Sequence, residues 1–216
     1  MRIEFLVEEP SMKALLDRLL ERLLPDAEWE VFDFRSKEQL LKQLPNRMKG
    51  YGQMIRQAGY EDLRVVVLVD RDEQDCKALK AQLEHDAHAA GLRTLTAARP
   101  APNAPPSQPF QVVNRVVCEE LEAWYFGDPG ACLAAYHRLR PAHFTNGHLQ
   151  HPDAVKGGTW EAFGRTLHKA GHLPANPPNH RWKYEAAEAI APHLDLSPTV
   201  NQSPSFQAFV AGVRAF

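Results

Sequence analysis

The stretch "RVVVLVDRDEQD" at residues 64–75 limits what this chain can fold into more than any other. Val65 to Val69 run without a polar interruption, which a strand solvated on one side would not tolerate. An unbroken apolar strand belongs in a parallel sheet with helices on both faces. Asp70 and Asp72 follow at once. Two carboxylates closing a buried strand repel each other and need a compensating charge.

The remaining pattern supplies the rest of such a sheet. "MRIEFLV" (1–7) and "WEVFDF" (29–34) read as strands, and "SMKALLDRLLERLL" (11–24) between them carries leucines at helical spacing. Ser36 and Gln39 mark a helix start. Residues 73–90 return to helical spacing. "LRTLTA" (92–97) and "FQVVNRVV" (110–117) read as two further strands, separated by the proline-rich loop 98–109. Alternating strands and helices predict an α/β fold, a mainly parallel sheet flanked by helices. After residue 127 strands give way to helical segments near 129–139, 159–170, 183–194 and 204–215. The expected division is therefore an α/β domain over 1–127 and an α-helical C-terminal half, a helical cap, over 128–216.

Composition narrows the function classes. A formal charge of −2 across 216 residues argues against a nucleic-acid binder working by bulk attraction, while leaving room for local basic patches. Three scattered cysteines without a CxxC pair point to reduced thiols and a cytoplasmic location. Neither a signal peptide nor a membrane span is expected. Without a Gly-rich phosphate loop, ATP binding by this chain is not expected.

Ligands of open parallel sheets bind at the carboxyl ends of the strands. Three predicted strands end there in acid: at Glu8-Glu9, at Asp70 and Asp72, and at Glu119, Glu120 and Glu122. Mg²⁺ or Mn²⁺ is the natural counter-charge, since hard divalent cations take carboxylate oxygens. A single Asp at such a point is more often a helix cap, and Asp72 or Asp75 could serve that way. Coincidence at three strand ends favours metal.

With a Glu after the first strand and a DxD after the third, the first hundred residues resemble the Toprim domain of topoisomerases, primases and OLD-family nucleases. The resemblance implies that Glu8 takes the place of the Toprim glutamate and that Asp70 and Asp72 form its DxD. It further implies that Glu120 and Glu122 serve a second metal. Glu9 departs from the pattern, which commonly has Gly there, so Glu8 and Glu9 can share or exchange the ligand role. "VLVDRDEQDC", "EELEAWYFGD" and "NQSPSF" also resemble recurring stretches of an uncharacterised bacterial Toprim-like family, a resemblance that implies an AAA-type ATPase encoded beside many members.

Other candidates stand outside that resemblance. Lys183 and Arg181 sit at a predicted helix start, where a cation opposes the helix dipole; phosphate contact and plain solvation are both open readings. Arg71 and Arg115, close to the acids, can neutralise them or hold phosphate. His168 and His172 have zinc-chelating spacing, but "HKAGH" lacks the catalytic Glu and Gly171 weakens the helix, so surface histidines explain them.

The expected activity is an Mg²⁺-dependent phosphodiesterase, a nuclease acting on DNA or RNA in defence or repair beside an ATPase. Glu8, Asp70, Asp72 and Lys183 would carry the catalysis. The competing expectation is a non-catalytic, metal-binding partner subunit of an AAA-type ATPase complex.

Overall fold

A computed structural model describes residues 1–57, 59–102, 104–145, 147–155, 158–177 and 180–216. Strands β1 (Arg2–Val7), β2 (Glu28–Asp33), β3 (Leu63–Asp70) and β4 (Val112–Val117) form one all-parallel sheet in the order β2-β1-β3-β4. The α/β expectation holds. In β3, Val66 and Leu68 enter one apolar cluster while Val65, Val67 and Val69 enter the other, so the continuous run is explained by cover on both faces.

Helices α1 (Pro10–Leu23), α2 (Lys37–Met54) and α3 (Cys76–Ala89) link the first four strands. Leu15, Leu16, Leu19 and Leu20 of α1 are fully buried against Ile3, Phe5 and Val66. Helix α2 begins where the sequence indicated, with the Ser36 side chain accepting from Gln39 N at 3.2 Å. Asp75, rather than Asp72, caps α3: its carboxylate accepts from Ala78 N at 2.7 Å.

One predicted strand is absent. Residues 92–97 touch β4 through a single bridge, Thr94 to Val112, and then form a short helix, α4 (Leu95–Ala98). The Thr94 side chain accepts from Ala97 N at 3.1 Å, and Leu92, Leu95 and Ala98 are buried at one-turn spacing. Capping by threonine and a helical apolar period override the local strand propensity.

The second half contributes α5 (Ala123–Gly127), α6 (Pro129–Ala135), α7 (Thr159–Lys169), α8 (Arg181–Ile190) and α9 (Pro204–Val213). These helices do not build a core of their own. Phe163, Trp182, Phe206 and Phe209 join the same apolar cluster as Ile3, Phe5 and Val66 of the sheet. Helix α8 lies against α1, and α9 against β4. Among the described residues, no helix is long and apolar enough to cross a membrane.

Candidate metal centre

Three carboxylates converge beyond the carboxyl ends of β1 and β3. Glu8, Asp70 and Asp72 each offer an oxygen, and these oxygens lie within 4.8 Å of one another. Strand alternation does not produce this. β3 stops at Asp70, and Asp72 takes a left-handed backbone (φ +50°), so a turn brings it back over the strand end. Arg71 N donates to Val117 O at 2.8 Å and Asp72 N to Glu119 O at 3.0 Å, which extends the β3–β4 pairing into that turn. Glu119 is itself left-handed at φ +63°. Non-glycine residues in that region store backbone strain, which tends to gather at functional sites.

Burial sets the electrostatics of the cluster. Glu8 is 7% exposed and Asp70 2%. Glu8 is pushed up to about 7 by loss of water, although Lys37 opposes the shift and Asp70 N donates to its Oε2 at 3.1 Å. Asp70 is raised well above the ordinary carboxylate range, first by burial and then by the charges of Glu8, Glu9 and Glu122. Its Oδ1 is buried without a hydrogen-bond partner among the described residues. Buried polar atoms are nearly always satisfied, and Glu122 Oε2 nearby also lacks a partner among the described residues. Three carboxylate oxygens with one orphaned lone pair fit a hard divalent cation.

Lys37 was not singled out from the sequence. Its Nζ lies 2.5 Å from Asp72 Oδ2 and donates to Arg71 O at 3.1 Å. It is the first residue of α2, where the dipole disfavours a cation. That conflict, which drew attention to Lys183, was present at Lys37 too.

A second acidic cluster adjoins the first. Glu9 precedes α1, and Glu122 precedes α5 with 1% exposure. Lys183, from α8, lies 3.3 Å from Glu9 Oε1 and 3.9 Å from Glu122 Oε1. Burial alone would lower its pKa, but the charges of Glu122, Glu9 and Asp70 together hold it above the usual lysine range. Glu122 is pushed up to about 7, chiefly by burial, with Lys183 opposing. Ser11 Oγ also donates to Glu9.

The other sequence candidates lie as follows. Glu120 faces α7: its Oε2 accepts from Thr159 N at 2.9 Å, Thr159 Oγ1 at 3.0 Å and Trp160 N at 3.0 Å. This satisfies the exposed amides that open a helix, a capping role that spacing alone did not distinguish from a metal ligand. Arg71 pairs with Glu119. Arg115 packs against α9, where a Cβ on Gly212 would come within 2.7 Å of its guanidinium. It is lowered to about 10 by burial and by Arg99, with Glu84 opposing, and Lys80 also lies within its field. Arg181 lies on the surface, with Glu185 at 2.9 Å. His172 falls beyond the end of α7, after Gly171 at φ +75°, so the helical spacing with His168 is lost.

The two stretches "EELEAWYFGD" and "NQSPSF" lock together and so fix Glu122. Trp124 Nε1 donates to Ser205 Oγ at 3.0 Å, and Asn201 Nδ2 to Trp124 O at 3.1 Å. Gln202 N reaches Gly127 O at 2.7 Å. A side chain at Gly127 would collide with Asn201 Oδ1 at 2.2 Å, so only glycine permits the contact.

The family model described as "Domain of unknown function (DUF4276)" matches residues 7–214, nearly the whole chain. The chain belongs to the DUF4276 family. That match runs through both halves and takes in "VLVDRDEQDC", "EELEAWYFGD" and "NQSPSF". No curated protein and no solved structure matches this DUF4276 chain.

Proposed function

We propose that this DUF4276 protein is a divalent-metal-dependent phosphodiesterase, a Toprim-like nuclease acting on DNA or RNA. The observation that carries the reading is the convergence of Glu8, Asp70 and Asp72 at the carboxyl ends of adjacent parallel strands. Glu8, Asp70 and Asp72 would hold Mg²⁺ or Mn²⁺. A cation so held supplies Lewis-acid activation of a phosphodiester. The resemblance of "VLVDRDEQDC" to the Toprim DxD supports the same reaction class.

The chain's own residues have definable roles in such a reaction. Lys37 faces Asp72 from the rim, where it can also meet a substrate phosphate. Lys183 keeps its proton among Glu9, Glu122 and Asp70, and a permanent cation there offsets charge building on a phosphate oxygen. Burial of Glu8 and Asp70 keeps water away from the acids, which strengthens every charge interaction in the cluster. A separate AAA-type ATPase, inferred only from the resemblance, would act as partner.

The test is a cleavage assay on single- and double-stranded DNA and RNA with Mg²⁺ or Mn²⁺, using wild type beside Glu8→Gln and Asp70→Asn. The reading expects metal-dependent cleavage that each variant loses by at least about 100-fold. Metal binding with no cleavage of any substrate would instead identify a non-catalytic, metal-binding partner subunit.

A further inference from the structure

A cavity of about 380 Å³ opens on the helical half, walled by Trp160, Gly164, Arg165, Asn176, His180 and Trp182. The Trp160 and Trp182 rings lie 6.2 Å apart at 34°, and His180 meets Trp160 edge-on at 5.1 Å. Gly164 leaves room for this wall, since a Cβ there would stand 3.3 Å from the Trp182 ring.

The wall is tied to the acidic site by two contacts. Glu120 holds Trp160 N at 3.0 Å. Lys183 Nζ sits 5.8 Å from the centre of the Trp160 ring while facing Glu9 and Glu122 on its other side. One ammonium group therefore separates an aromatic surface from the carboxylate cluster. An aromatic cavity with a few polar groups suits a planar ring with a hydrogen-bonding edge. The cavity lining carries both signs of charge, Arg165 and Glu161, while Lys183 faces the Trp160 ring from the acidic site, so a neutral ring whose edge both donates and accepts suits it better than a bare organic cation.

We infer that this cavity is a nucleobase pocket. It takes the base of the nucleotide whose phosphate lies at the acidic site, stacks it on the tryptophan wall and meets its polar edge with Asn176 and Arg165. This names the substrate class of the proposed phosphodiesterase and rests on that reading.

The test is calorimetric titration of the full chain with nucleoside 5′-monophosphates, and with ribose 5-phosphate and inorganic phosphate as probes lacking a base. A nucleobase pocket predicts that the nucleotides bind at least about 10-fold tighter than ribose 5-phosphate, the scale of one stacked base. Trp182→Ala should abolish that preference. Trp182 is buried, so the surface variant Asn176→Ala, which leaves the core intact, should independently reduce it. Equal binding of nucleotide and ribose 5-phosphate by wild type, or an unchanged preference in both variants, overturns the proposal. Oligonucleotide cleavage separates the two readings. Base preference without cleavage keeps the pocket and loses the phosphodiesterase; cleavage without base preference loses the pocket alone.

Discussion

At Glu9 and Glu122 a lysine from the helical half, Lys183, stands between the carboxylates, whereas Lys37 meets the Glu8, Asp70 and Asp72 cluster at Asp72. Lys183 is 15% exposed along its side chain and is positioned by α8, which packs on α1. Lys37, with its side chain 13% exposed, pairs with Asp72, whose side chain is 47% exposed, and donates to Arg71 O. Each cluster has its own lysine and keeps one buried carboxylate oxygen without a hydrogen-bond partner among the described residues, Glu122 Oε2 in one and Asp70 Oδ1 in the other. The two clusters differ in their balance of charge: Lys183 faces Glu9 and Glu122, while Glu8, Asp70 and Asp72 bring three carboxylate oxygens within 4.8 Å of one another beside Lys37.

The largest expected effect comes from deleting the built-in cation. Lys183→Met leaves Glu9, Glu122 and Asp70 facing one another, and removing one partner of a buried pair typically costs about 3–5 kcal/mol. Urea unfolding at pH 8 should show a loss of that size. At pH 5, below the raised value of about 7 for Glu122, the loss should shrink markedly. An equal loss at both pH values would make Lys183 a packing residue and dissolve the contrast between the clusters.

Next in size is the pH dependence of the wild type without metal. Glu8 and Glu122 are both pushed up to about 7, from an ordinary 4.5. A raised folded pKa means the folded state binds more protons, so these groups' contribution is fully present below about 4.5. It is lost as pH rises through about 7. Chemical unfolding from pH 4.5 to 8 should show it, with a change of up to about 2–3 kcal/mol per group. Glu8→Gln should flatten its share of the slope, and saturating Mg²⁺ should flatten it in the wild type. A wild-type slope unaffected by either change would mean Glu8 does not meet the charge the contrast requires.

The smallest effect is expected outside both clusters. Arg71 pairs with Glu119 at side-chain exposures of 30% and 19%, and such partly exposed pairs contribute within about 1 kcal/mol. Arg71→Ala should therefore leave the midpoint of a denaturant melt almost unmoved. A shift as large as that of Lys183→Met would show that the turn carrying Asp72 depends on this pair.

Much of this was legible in the sequence, for specific reasons. The unbroken Val65–Val69 run announced a doubly covered parallel strand, and its terminal acids announced the sheet end at which Glu8, Asp70 and Asp72 converge. Periodicity could not read residues 92–97, because a leucine–threonine mixture fits a strand or a capped turn until the Thr94 side chain commits to Ala97 N. The convergence of Asp70 with Asp72 comes from a left-handed turn past the strand end, which the sequence pattern does not record. Lys37 and the partners of Glu120 depend on segments 34 and 39 residues away meeting at one sheet end, which no local pattern records. The helical half was read as a cap, yet its aromatic residues complete the core beneath the sheet.

Calorimetric titration of the metal-free chain with Mg²⁺ and Mn²⁺, wild type beside Asp70→Asn, tests the central claim most directly. Wild type should bind a divalent cation, and the thermal melt should rise with cation concentration. Asp70→Asn removes one ligand charge with little change of shape, so it should relieve repulsion and melt no lower than wild type without metal. It should also lose the cation-dependent rise. A variant that binds and melts like wild type in the presence of metal, or that unfolds well below it in the absence of metal, would contradict the assignment of Glu8, Asp70 and Asp72 as a metal centre.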